Sequence, residues 1–136
     1  MSILTPRNIT FGFYAAGFGN IFGIWLFSVF YTNDLMSALY PQVFSTFGLL
    51  LIQVWGLAYL AVSRSYAQVP WLVAVFALEK LAYVITWLMW IGQHRSVLSD
   101  VYTQSPLTAA FYSGYGLIDL SFGVFFAAVA LKSRRA

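Results

Sequence analysis

The chain has 136 residues; 61% are apolar and only 8% charged, with 7 Lys and Arg against 4 Asp and Glu. Soluble domains are about one-quarter charged, so this composition and a mean hydropathy of +0.79 exclude an ordinary soluble domain, a disordered chain and a free nucleic-acid-binding protein, and point to an integral membrane protein. Cysteine is absent, which excludes disulfides, thiolate metal sites and iron–sulfur clusters.

A hydrocarbon core of about 30 Å calls for about 20 helical residues. The first such stretch runs from about 9 to 30. Arg7 precedes it as in a signal peptide, but the apolar run is longer than a signal core and no small-x-small site follows, so it reads as a retained helix. It carries Gly12, Ala16, Gly19 and Gly23 as a small-residue stripe, a spacing that lets helix backbones pack closely within a bundle. Thr32-Asn33-Asp34 then breaks the pattern. The second span covers 42–62, with Thr46 and Gln53 on one face. The third covers 70–91 and opens on Pro70, a position where proline loses no helical hydrogen bond. It carries Glu79, Lys80 and then Tyr83, Thr86 and Trp90 at helical spacing from Glu79. The connection over 92–106 holds His94 and Arg95, read as a solvated loop; one histidine without cysteine makes no metal site. The fourth span covers 107–131 and carries Tyr112, Tyr115, Asp119 and Phe122 as a stripe.

These elements predict an all-α fold, a four-transmembrane-helix antiparallel up-down-up-down bundle forming one integral membrane domain over 1–136. Arg7, Arg64, Lys132, Arg134 and Arg135 fall on one side of the membrane. Arg95 falls on the other with Asp34 and Asp100. The positive-inside bias puts both termini in the cytoplasm. Most of the aromatic residues are expected to face lipid, with Tyr40, Tyr66, Trp71 and Trp90 at span ends as interface anchors.

Asn20, Gln53, Glu79, Lys80 and Asp119 each lie 9 to 12 residues into their spans. At 1.5 Å per residue they share one depth, near the bilayer midplane. Asn20 and Gln53 fit interhelical hydrogen bonds. Charged groups at helix centres cost about 2.5–3.5 kcal/mol each on insertion scales, so Glu79, Lys80 and Asp119 are expected to face inward, as a functional cluster or a structural ion pair. Adjacent residues point about 100° apart on a helix. Lys80 is therefore expected to turn to Asp119, leaving Glu79 to a donor such as Asn20 or Gln53. Lys80 would mark a partner surface if it faced outward. Tyr83 and Tyr115 extend the polar seam.

The parts for nucleophilic catalysis are missing: no G-x-S-x-G occurs and no Ser–His pair lies inside the membrane. No glycine-rich phosphate loop is present. The first reading is a non-enzymatic protein without a cofactor or metal. Three classes fit it. The cluster binds an apolar or amphipathic small molecule or lipid; or the chain packs as an accessory subunit on a larger membrane protein or its own copy; or Glu79 or Asp119 exchanges a proton or cation in a small transporter. Acid–base isomerisation of a lipid by a carboxyl and a tyrosine is a weaker fourth.

Pro6-Arg7 before a glycine-rich first helix (Gly12, Gly17, Gly19, Gly23), four short-looped spans, and the segments Phe76-Ala77-Leu78-Glu79-Lys80 and Tyr115-Gly116-Leu117-Ile118-Asp119 resemble the DoxX-like group of small bacterial four-helix membrane proteins, including its BphX-like members. The resemblance implies a bacterial inner membrane setting, and for some members an accessory role beside oxidoreductase or degradation systems. It assigns no residue a role.

Overall fold

The computed structural model describes residues 2–135. No strand occurs among them; the chain is helical. Helix α1 (Pro6–Phe27) starts where Thr5 accepts a hydrogen bond from the Asn8 amide at 3.2 Å and Pro6 takes the first turn. It ends at Ser28, after which Val29, Phe30 and Tyr31 all take left-handed backbone angles, φ 49°, 54° and 69°. For residues with a Cβ this conformation costs roughly 1–2 kcal/mol apiece. Local bonds offset it: Phe30 N–H donates to the Trp25 carbonyl, Thr32 N–H to the Ser28 carbonyl and Tyr31 N–H to Ser28 Oγ, all at 2.9 Å. The chain then reverses into α2 (Asp34–Leu39), capped by Asn33.

The second expected span, 42–62, is not one continuous helix. A four-residue α3 (Pro41–Phe44) precedes a break at Ser45, and α4 runs over Thr46–Val62. Ser45 is extended (ψ 166°), and its hydroxyl accepts from the Gly48 amide at 3.1 Å. Gly48 is obligatory there, because a Cβ would collide with the Val43 carbonyl. Helix α5 (Pro70–His94) outruns its expected end, passes through a 3-10 turn (Arg95–Val97) into α6 (Leu98–Gln104), and α7 (Pro106–Arg135) closes the chain. The expected loop over 92–106 is therefore largely helical.

Three helical stretches are long and apolar enough to cross a membrane: Pro6–Phe27, Pro70–Gln104 and Pro106–Arg135; α4, at 17 residues, is a shorter apolar helix. Large apolar side chains such as Phe22, Leu57, Leu78, Leu88 and Val124 point outward at 55–64% exposure. An apolar exterior of this kind suits a lipid solvent.

Helix α5 packs along α7, and α1 along α4, with a shorter contact between α1 and α7. The α1–α4 contact is a meeting of glycines. A Cβ on Gly56 would lie 2.7 Å from the Gly17 carbonyl oxygen, and one on Gly17 would lie 2.8 Å from that of Gly56. Two apolar cores result. In the first, Phe13, Tyr59, Phe76 and Phe126 are fully buried, with Tyr59 4.9 Å from both Phe76 and Phe126 between ring centroids. Arg64 Nε donates to the Tyr14 hydroxyl, Lys132 donates to the Leu4 carbonyl, and the Arg134 guanidinium lies 4.5 Å from the Trp71 ring centroid, so the basic residues gather at this end of the molecule. In the second core, Phe44, Trp90, Phe111, Tyr112 and Tyr115 pack together. Trp90, expected at a membrane interface, is 2% exposed there. Its indole N–H donates to the Leu39 carbonyl, and His94 stacks on its ring. The hairpin of α2 and α3 folds in over this end and covers it.

Candidate functional site

Between the two cores lies a cavity of about 210 Å³, walled by α1, α5 and α7, with Phe44 and Ile52 contributing from α3 and α4. Six of the seven residues singled out by sequence line it: Asn20, Glu79, Lys80, Tyr83, Tyr115 and Asp119. Gln53 does not. It is buried on the α1–α4 contact, donates to the Ile21 carbonyl at 2.9 Å and accepts from the Tyr31 hydroxyl. Its role is to tie the left-handed turn after α1 to α4.

The polar groups form a connected floor. Lys80 is 2% exposed, so it faces inward and marks no partner surface. Its Nζ donates to Asp119 Oδ1 at 2.9 Å and to Asn20 Oδ1 at 3.2 Å. Asn20 Nδ2 in turn donates to the Ile52 carbonyl at 3.0 Å. Lys80 Nζ also lies 5.2 Å from the Tyr59 ring centroid, close enough for a cation–π contribution. Lys80–Asp119 is the one ion pair among the described residues. A buried pair is kept only where geometry and extra hydrogen bonds compensate for lost hydration; here Asn20 supplies the second acceptor.

Glu79 takes a different partner from the one expected. Neither Asn20 nor Gln53 reaches it. The Tyr59 hydroxyl, from α4, donates to Glu79 Oε2. Tyr59 carries no polar signature in sequence; it reads as one more lipid-facing ring. Its position six residues after Gln53 puts it below the polar layer, and the tyrosine's length carries the hydroxyl up to Glu79. Glu79 Oε1 is buried with no hydrogen-bond partner. Tyr115 shares a 3.0 Å contact with Thr86 Oγ1 on the wall above.

The small residues of α1 divide in function. Gly12 packs at the basic end, where a Cβ would collide with the Phe125 ring of α7. Gly19 and Gly23, expected to bring helices together, have nothing within 4 Å of a Cβ position, and neither does Gly114 of α7. All three line the cavity. Helices α1 and α7 therefore touch at one end and part at mid-depth, and the missing side chains leave an open side there. Among the described residues no group of three or more His, Asp and Glu could hold a metal ion. The arrangement can bind and orient a guest. It offers a buried ammonium, two carboxylates and an amide at one end of an otherwise apolar chamber.

No protein-family model matches the chain, nor does a curated protein or a solved structure.

Proposed function

We propose that this protein is a multi-pass membrane protein that binds a hydrophobic small molecule or lipid in the chamber between α1 and α7. In this reading α1, α4, α5 and α7 each cross the bilayer, up-down-up-down. The basic end, with both termini, lies in the cytoplasm under the positive-inside rule. Helix α4, with 17 residues, is at the lower limit of a spanning length. A bacterial inner membrane, as in the DoxX-like group, is the setting the sequence pattern favours; that likeness rests on pattern alone.

The observation that carries the binding reading is the chamber itself. It is apolar over most of its wall, has convergent polar groups at one end, and opens sideways where Gly19, Gly23 and Gly114 leave room. That is the composition of a small-molecule site, and a cavity of about 150 Å³ already accepts benzene. An accessory role has less support, because Lys80, the one charged residue that could have marked a partner face, is turned inward. Proton or cation exchange through Glu79 or Asp119 would need a wet path to them, and the packed rings of Phe13, Tyr59, Phe76 and Phe126 fill the way from the basic end.

The test is native mass spectrometry of protein extracted gently from membranes. The expected result is a retained adduct of small-molecule mass on the wild type, absent from a Gly23→Leu variant that fills the chamber. A wild type that flies bare, or an adduct equally retained by the variant, would overturn the reading.

A further inference from the structure

The floor of the chamber leaves a buried acceptor unused. Glu79 is 9% exposed and lines the cavity, and its Oε1 has no partner while Oε2 is held by Tyr59. Lys80 is already committed to Asp119 and Asn20. A buried acceptor without a donor is unfavourable in the empty chamber, and a guest that supplies the donor removes the penalty. Two carboxyl groups and one ammonium, itself paired with Asp119, share that space, so an anionic head would find no free countercharge there. The open side lies between α1 and α7, where Gly19 and Ala110 are exposed. That route comes from the bilayer rather than from water. The cavity of about 210 Å³ holds a head and a few carbons, so the rest of a longer chain would stay in the lipid.

From this we propose that the occupant is a single-chain amphiphile with a small head that donates hydrogen bonds, an alcohol or a protonated amine, admitted sideways between α1 and α7 with its head on Glu79. The proposal rests on the binding reading above and adds the head-group chemistry to it. Oε1 is enclosed in the empty chamber, so the head meets it once the Glu79 carboxyl turns toward the cavity. The first carbons lie against Tyr83, Ile24 and Phe111, and the chain leaves past Gly19 and Gly23.

The test uses the full chain in phosphatidylcholine nanodiscs, titrated with 1-decanol, decylamine, decane and decanoate, and reads an apparent Kd from the unfolding midpoint at each concentration. Three proteins are compared: the wild type, Gly19→Leu, and Gly92→Leu. Gly92 lies outside the cavity with nothing within 4 Å of a Cβ position, so it controls for an added leucine. The expected result is an apparent Kd about tenfold lower for decanol and decylamine than for decane, as one charge-assisted hydrogen bond supplies. Decanoate should bind more weakly than decane. The preference should survive Gly92→Leu and vanish in Gly19→Leu. Equal affinity for decane and decanol, or strongest binding by decanoate, would overturn the head-group assignment and leave the binding reading standing. Midpoints that no probe moves, or that move identically in Gly19→Leu, would overturn both. Glu79→Leu gives the second check: it should erase the decanol preference while keeping decane binding, and a decanol preference that persists in it counts against the assignment.

Discussion

Lys80 carries a full charge to the middle of an apolar helix, and its surroundings show how that is made tolerable. Its ammonium has Asp119 at 2.9 Å, Asn20 at 3.2 Å and the Tyr59 ring beneath it. Removing one partner of a buried pair leaves the other charge uncompensated, which costs about 3–5 kcal/mol in soluble proteins. Lys80→Ala is therefore expected to lower stability by about that amount, measured by steric trapping or by the unfolding midpoint in detergent. The double substitution Lys80→Met with Asp119→Leu should recover most of the loss. If the double variant is as unstable as the single one, the pair is more than a balanced charge. The Lys80–Asp119 contact was legible in sequence, because two opposite charges at one depth in apolar helices have few other partners. The Tyr59–Glu79 contact was not. A tyrosine in a membrane helix is usually an apolar ring with a wet tip, and only the contacts of Tyr59 with Phe76 and Glu79 show that this tip is buried on a carboxylate.

At the scale of elements, glycine carries two opposite meanings in the same helix. Gly17 and Gly56 are where α1 and α4 come closest, so a methyl group there meets the opposing backbone. Overpacking of this kind costs about 1–3 kcal/mol. Gly56→Ala is expected to lower the unfolding midpoint in detergent measurably. Gly19→Ala, whose Cβ would meet nothing within 4 Å, should leave it unchanged or raise it, since alanine is the better helix former. Equal losses in the two would mean that α1 and α4 can slide to accommodate the methyl. Sequence spacing alone picked the stripe Gly12, Ala16, Gly19 and Gly23 as the packing face. Only Gly12 and the buried Ala16 pack in that way; the period tells which residues share a face but not what stands opposite. The same limit applies to the second span. Its apolar composition was readable from 42 onward, whereas the break at Ser45 depends on a serine cap and on one glycine passing under a carbonyl, both of which are local geometry.

For the whole molecule, the distribution of charge is the feature that sequence and structure share most closely. Leu4, Tyr14, Arg64, Trp71, Lys132 and Arg134 meet at one end through three contacts, as alternation of the helices requires. The lack of native cysteine makes orientation directly measurable. Ser99→Cys, at the far end, is expected to react with a membrane-impermeant maleimide added outside spheroplasts, and Ser2→Cys only after the membrane is opened. The reverse pattern would invert the topology, and reaction at both would break the four-span reading. The all-α fold and four residues of the chamber floor, Asn20, Glu79, Lys80 and Asp119, follow from depth counting, because a bilayer would impose one length scale on every helix. The open side of the chamber does not, because it depends on how far two helices part.

The ring cluster of Phe13, Tyr59, Phe76 and Phe126, described above as packing, has a consequence for the energetics of the membrane around it. Ionisable groups at mid-depth would short-circuit a charged bilayer if water reached them from both faces. Under the four-span reading proposed above, these buried rings would stand as insulation between the basic end and Lys80, Glu79 and Asp119. If the helices cross a bilayer as proposed, the protein would add no proton leak from its basic side.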